Sequence, residues 1–249
     1  MMKNQHTPYD LDNLVQTYDI DNVYEHYKRL EFITKMRNYI AFKNSKVLEL
    51  GSASGQMTLM LSQEAKQVVA VDGSAEFIKI AQERTRGALN VQFNQSYFES
   101  FSLDETFDCL ILHHILEHLE NPPLLLTKLK AFMHKDSLLA ITVPNAHALS
   151  RQLAVKMGLL SSVYELTEND RHHGHFRVYD WKTLEEQVVA SGFNIIGKHG
   201  LSFKLFSDKQ NLSMLDAQII GEEQIKGLWK IGDEFPDVAG AIMIVAKGV

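Results

Sequence analysis

Cysteine occurs once in the chain, at Cys109. An intrachain disulfide framework is therefore excluded, and the composition suits a reducing compartment, so a cytoplasmic protein is expected. No run of 18 apolar residues occurs, which leaves no candidate for a membrane-spanning helix. The opening stretch, Met1 to Asp10, is polar and lacks the apolar segment of a secretory signal. There is no block of lysine and arginine, and the formal net charge is -6. Neither nucleic acid nor an acidic membrane is expected as a partner on that balance. A further absence decides between nucleotides. A dinucleotide fingerprint G-x-G-x-x-G would place glycines at 51, 53 and 56, where the chain has Gly51, Ala53 and Gln56. NAD and NADP are not expected to bind.

What is present begins at Lys46. Val47 to Leu50 is a short apolar run containing Glu49, and it ends at Gly51. Such a run, closed by a glycine turn, reads as a buried strand of a parallel sheet. Gly51-Ser52-Ala53-Ser54-Gly55 follows, and Met57, Leu59, Met60 and Leu61 begin a helical pattern. A second apolar run from Gln67 ends on Asp72, 21 residues after Gly51. Strand, glycine turn, helix, strand and acid together describe a nucleotide-binding βαβ unit, with Asp72 placed to accept ribose hydroxyls.

Glu49 to Gly55 reads E-x-G-x-A-x-G. It resembles motif I of the class I S-adenosylmethionine (SAM)-dependent methyltransferases. The resemblance implies that Glu49, Gly51, Ser52, Ala53 and Gly55 lie against the methionine part of SAM, with Ala53 in place of a glycine and a looser contact there. It implies that Asp72, Gly73 and Ser74 meet the ribose. The segment holding Tyr97 and Phe98 falls where the family meets the adenine, with Tyr97 at a commonly acidic position. FDCLILHHILEHLENP, from Phe107 to Pro122, is similar to the motif IV region of UbiE/UbiG-type methyltransferases. VPNAHALSRQLAVKMGLL, HGHFRVYD and GLSFKLFSDKQ extend the likeness to a bacterial branch of small-molecule methyltransferases.

Periodicity and turn signals complete the outline. Helices are expected over Asp21–Ile40, from Ser74 to about Arg86, over Leu124–Met133 and Ala146–Met157, and from Asp180 to Ala190. Further strands are expected at Asn90–Phe93, Phe107–Leu112, Ser137–Val143, Gly192–His199 and Ala239–Ala246. The fold class is α/β: a Rossmann-like, mainly parallel sheet of seven strands with helices on both faces. Its last strand is antiparallel, as the resemblance implies. One methyltransferase domain is expected over 1–249. Its N-terminal helical cap is 1–42, with Tyr18, Tyr24, His26 and Tyr27 crowding the helix start. An active-site loop is expected at 158–178, and an insertion at 202–236 before the last strand. Oligomeric state is not legible.

Two groups of histidines stand out: His113-His114 at a strand tip, and His172, His173 and His175 in the long loop. The resemblance implies SAM as cofactor, with S-adenosylhomocysteine (SAH) as product and a small-molecule acceptor, most often methylated on oxygen or nitrogen. His113, His114 and His175 are the candidate catalytic residues, since histidine can take a hydroxyl proton near neutral pH. His113 also borders the cofactor, and Arg177 is available for an anionic group. Two other readings are weighed. One is a SAM-binding protein without turnover. The other is a zinc hydrolase through His114-Ile-Leu-Glu117-His118, which matches H-x-x-E-H. The zinc motif follows a buried strand directly and meets Pro122-Pro123 four residues after His118. No metal ligand set is expected, and hydrogen bonds from Glu117 and His118 are expected to brace the loop.

Overall fold

The computed structural model describes residues 11–15 and 21–248. Tyr18 lies outside the described residues. In chain order the elements are α1 (Leu11–Leu14), α2 (Val23–Met36), β1 (Lys46–Leu50), α3 (Gln56–Ser62), β2 (Gln67–Asp72), α4 (Ala75–Arg84), β3 (Val91–Gln95), β4 (Phe107–His113) and α5 (Pro122–Leu129). They continue with β5 (Met133–Pro144), α6 (Leu149–Lys156), α7 (Glu168–His172), α8 (Trp181–Ala190), β6 (Phe193–Leu201), α9 (Asp208–Asp216), α10 (Glu222–Glu234) and β7 (Ala241–Gly248).

The strands form one seven-stranded sheet in the order β3-β2-β1-β4-β5-β7-β6. The five strands from β3 to β5 are parallel, and β7 runs antiparallel to both β5 and β6. Alternate residues of a strand face opposite sides, so each central strand feeds two cores. Leu48, Leu50, Leu110 and Leu112 pack with Leu125, Leu126 and Leu129 of α5 and with Leu184 and Val188 of α8. Val47, Cys109 and Ile111 pack on the other side with Phe32, Ile33 and Met36 of α2 and with Met57 and Leu61 of α3. Two covered faces explain why these strands read as continuous apolar runs.

Chain order reverses between β1 and β4, which opens a crevice at their carboxyl ends. Leu50 pairs with both Val71 and Leu112. The next residues, Gly51, Asp72 and His113, therefore stand at one level along the carboxyl edge.

Several boundaries differ from expectation for local reasons. Asn22 caps α2 by accepting from the Glu25 amide at 3.0 Å, so the helix starts after it. The chain expected to remain helical to Met133 leaves α5 at Leu129, passes through a 3-10 turn, and pairs Met133 with Phe107 in β5. α6 starts at Leu149 because the Asn145 side chain accepts from the His147 amide and donates to the carbonyls of Asp237 and Ala239. The loop 158–178 contains α7, closed by a capping box between Thr167 and Asp170. The segment 202–236, expected as an insertion, is largely helical, and the Ser207–Gln210 capping box starts α9.

Candidate functional site

A cavity of about 1840 Å³ lies over the carboxyl ends of β1, β2 and β4. Small-ligand sites commonly occupy about 300–1,000 Å³, so this one has room for two ligands side by side. α2, the loop after α6, and the segment around α9 complete its walls.

One half is built by the first βαβ unit. Gly51 and Gly55 have φ of 81° and 78°, and Ala53 takes φ 43°. The Ala53 conformation explains why a glycine suits that place, since a side chain in the left-handed region costs roughly 1–2 kcal/mol. A Cβ on Gly51 would collide with Ile115, which fixes the open cradle there. Asp72 is buried, and each of its oxygens holds one backbone donor: Oδ2 accepts from Ala53 N and Oδ1 from Ser74 N, both at 2.9 Å. Burial raises its pKa above the ordinary carboxylate value. Glu49 accepts from Thr58 Oγ1 at 2.6 Å, and burial pushes its carboxyl up to about 7. Ser52 is buried with no hydrogen-bond partner for its hydroxyl.

Glu49, Gly51, Ser52, Ala53, Asp72, Gly73, Tyr97, Phe98 and His113 all line the cavity. Gly73 is pressed between Leu11 and Tyr97, where a Cβ would sit 2.7 Å and 3.2 Å from their side chains. Gly55 and Ser74 stand behind the lining. Gly55 packs against Ala81, while Ser74 caps α4 by accepting from Phe77 N and donates to Asp12 at 2.6 Å.

The other half collects imidazoles. His113 packs on Phe32 with ring centres 4.9 Å apart, and its Nδ1 has no partner. Burial, then the neighbouring His114, keeps its pKa well below the ordinary histidine value. The chain turns sharply at His114, with φ 58°, and His114 Nδ1 comes to 3.1 Å from Glu117 Oε1. Leu116–His118 forms only one 3-10 turn. The H-x-x-E-H residues thus do not sit on an α-helix, and a zinc-peptidase arrangement does not form. Glu117 does brace the loop as expected, through His114 and through its carbonyl, which accepts from Phe176 N at 2.8 Å.

That backbone bond draws His175 over the strand tip, where its ring lies 4.6 Å from that of His118. His173 also lines the cavity, but His172 is exposed outside it. Arg177 does not reach the cavity lining and donates to the Glu120 carbonyl at 3.1 Å.

Residues without a sequence signal also line the cavity. Glu25, Lys28 and Arg29 come from α2, and Lys204 and Asp208 from the segment around α9. Arg29 donates to Gln56 at 2.7 Å. A charged pair inside an amphipathic helix ordinarily marks a solvated face, which hid their role. Of the rings expected to crowd this end, Tyr24 is buried in the wall, while His26 and Tyr27 meet edge-on outside it.

Comparison with known proteins agrees with this geometry. The (S)-coclaurine N-methyltransferase of Thalictrum flavum subsp. glaucum is 35% identical over 100 residues, 38% of this chain and 27% of that protein. The ubiquinone biosynthesis O-methyltransferase of Agrobacterium fabrum (strain C58) is 25% identical over 170 residues, 68% of this chain and 67% of its own. The chain thus spans about a quarter of the first relative and two thirds of the second. In fold it matches the N-methyltransferase NodS of Bradyrhizobium japonicum WM9, crystallised with SAH, at a TM-score of 0.63. That likeness covers 96% of this chain and 99% of NodS at 13% identity. The profile of the methyltransferase domain matches residues 24–198, well over half of the sequence. The chain belongs to this family and is a SAM-dependent methyltransferase of class I.

Proposed function

We propose that the protein methylates a hydroxyl or amine of a small, partly apolar acceptor bound beside SAM in the large cavity. The carrying observation is that the cavity joins two chemically different halves: a glycine-loop cradle with a buried acid, and a wall of histidines. The cradle fits SAM by its own chemistry. Asp72 keeps lone pairs free on both oxygens for ribose hydroxyls, Glu49 suits an ammonium and Arg29 a carboxylate at the methionine end. Leu11, Tyr97 and Phe98 offer flat apolar surface for adenine. Gly55 and Ser74 act from behind by holding the loop and the start of α4.

SAM supplies a methyl group already activated on a sulfonium. The chain aligns an acceptor with that methyl and excludes water, a contribution of up to about 7–11 kcal/mol in favourable systems. His114, oriented by Glu117, takes the proton of a hydroxyl acceptor. His113 remains neutral beside the cofactor and avoids repelling its positive sulfur. His175 closes the acceptor side from the loop. α2, 158–178 and 202–236 together form the cover. The acceptor class follows from Leu153, Leu160, Leu205 and Phe206 in the lining, which suit an apolar body. A cytoplasmic location accords with the single thiol, Cys109, which is buried in β4, and no described helix is long and apolar enough to cross a membrane.

Calorimetry with SAM and SAH, followed by methyl-labelled SAM with panels of phenols, amines and transfer RNA, tests the reading. Label on a small phenol or amine is expected. SAH binding with no transfer to any acceptor would make the protein a sensor, and label on RNA alone would replace the small-molecule reading.

A further inference from the structure

We infer that Glu117, His118 and His175 form a binding site for a divalent transition metal, of the zinc type, in the acceptor half of the cavity. One ligand atom from each of the three lies within 4.8 Å of the others. All three line the cavity. Two imidazoles and one carboxylate with remaining positions open to a ligand are the donor set of catalytic zinc sites. No thiolate competes, because Cys109 is buried within β4.

Three features distinguish this cluster from a chance gathering of polar groups. First, Glu117 is fully buried, and its Oε2 has no hydrogen-bond partner. A buried carboxylate without a complete set of partners is costly, and such groups are otherwise paired or coordinate metals. Second, the ligands are themselves oriented by outer partners. His114 Nδ1 is 3.1 Å from Glu117 Oε1, and Asp170 Oδ1 stands 3.4 Å from His175 Nδ1, at ion-pair distance but without a hydrogen bond, so that His175 Nδ1 is, like Glu117 Oε2, buried with no hydrogen-bond partner. Asp170 is itself held by Arg151 at 3.0 Å and by the Thr167 amide at 2.8 Å. A carboxylate behind a histidine is the usual support of a metal ligand. Third, backbone bonds set the approach. Phe176 N donates to Glu117 O and His175 N to Asp170 O, at 2.8 Å and 2.9 Å. Gly174, with φ 76°, makes the turn between them.

Bonds of about 2.0–2.2 Å to a tetrahedral ion place ligand atoms about 3.4 Å apart. The cluster must therefore contract by up to about 1.4 Å, a movement assigned to the loop carrying His175. The set differs from the sequence motif, because His114 serves Glu117 and His175 replaces it as ligand.

The consequence for the reaction rests on the proposed acceptor position. An acceptor hydroxyl coordinated to the ion loses its proton more readily. That proton passes to His114 Nε2, the oxygen forms a bond to the methyl carbon, and the carbon–sulfur bond breaks with its electron pair left on sulfur. Acceptors with two adjacent oxygens, such as a catechol or a hydroxy acid, suit the open positions.

The test uses untagged, chelator-treated full-length protein titrated with Co²⁺. A visible ligand-field band saturating at one equivalent per chain, and bleached by Zn²⁺, is expected. His118→Ala and His175→Gln should abolish it. Asp170→Asn should keep the band and weaken binding about 10–100-fold, as outer-partner changes do. SAH calorimetry on each variant reports that the cavity is intact and keeps this question separate from cofactor binding. Absence of the band in protein that binds SAH, or a band unchanged in both histidine variants, would overturn the site.

Discussion

Lys28 Nζ of α2 lies 3.1 Å from Asp208 Oδ2 at the start of α9, across 180 residues of chain. Both residues line the cavity. Glu25 pairs with the same lysine and Lys204 with the same aspartate, so four alternating charges tie the N-terminal helix to the insertion. Burial opposes the charge on Asp208, but Lys204 and Lys28 outweigh it and hold the carboxyl below the ordinary range. Ion pairs thus join α2 to the segment around α9 at the cavity wall.

Asp208→Ala should loosen that fastening selectively. The Lys28 side chain is 12% exposed and that of Asp208 40%, so solvent screens the pair and the cost in global stability should be only about 1 kcal/mol. The local effect should be larger: faster amide exchange over 23–36 and 207–216, and faster SAH release. Hydrogen-exchange mass spectrometry checks this. Wild-type exchange in both helices would show that the pair does not seat the cover.

The two loop glycines should respond differently to alanine. At Gly55 a Cβ would stand 2.7 Å from both Cα and Cβ of Ala81, so backbone of α4 must move. At Gly51 the obstacle is the end of the Ile115 side chain, which can rotate. Each variant carries the left-handed penalty of roughly 1–2 kcal/mol. Gly55→Ala adds overpacking of about 1–3 kcal/mol. Gly55→Ala should therefore melt well below Gly51→Ala, while Gly51→Ala should show the greater loss of SAM affinity per degree of melting lost. Calorimetry beside thermal melts separates the two. The reverse ranking in stability would be incompatible with the packing described.

Asp72→Ala should weaken SAM at least tenfold, since each charge-assisted bond is worth about 1.5–3 kcal/mol. It should also lower the melting point, because Ala53 N and Ser74 N both lose their acceptor. Asp72→Asn keeps one acceptor and should recover part of the stability with less of the affinity. Unchanged SAH affinity in both variants would remove Asp72 from the cofactor site.

The central sheet was legible because β1, β2, β4 and β5 are covered on both faces and so appear as apolar runs closed by polar turns. Gly51 to Asp72 also carried its own register, since the loop and the acid are joined by a short segment. What depended on distant partners was not legible. His175 reaches Glu117 through a backbone bond from Phe176 that spans 59 residues, and nothing local announces it. Lys28 and Asp208 look like ordinary surface charges until α2 and α9 are placed together. The Thr167–Asp170 box is different: its spacing was readable, but a helix of five residues is too short to leave an apolar period. Arg177 shows the converse error, a cation near the site in sequence whose guanidinium is taken by a carbonyl.

Glu31, in the middle of α2, should make stability depend on pH. Its carboxyl is fully buried, Oε2 accepts from the Ser202 amide at 2.8 Å, and Oε1 has no partner. Ser202 opens the insertion with φ 55°, so this bond fixes an awkward turn. Burial pushes the Glu31 carboxyl up to about 8, against the Ser202 bond and Lys35, which favour the charged form. An unfolded glutamate titrates near about 4.3. Between these values the folded chain holds a proton that the unfolded chain has released, so stability must fall as pH rises. The contribution is fully present below the unfolded pKa and is lost as pH passes through about 8. Each tenfold difference in proton affinity between the two states is worth about 1.4 kcal/mol, so the loss amounts to a few kcal/mol. Glu31→Gln keeps an oxygen for Ser202 N and cannot ionise. Urea denaturation at intervals from pH 5 to 9 should therefore show the variant close to wild type at pH 5, increasingly the more stable from there to about pH 8, and level beyond it. A wild-type-minus-variant difference that stays flat across that range would mean that Glu31 is already ionised at pH 5. The first turn of the insertion would then be held by a charge and not by a neutral acid.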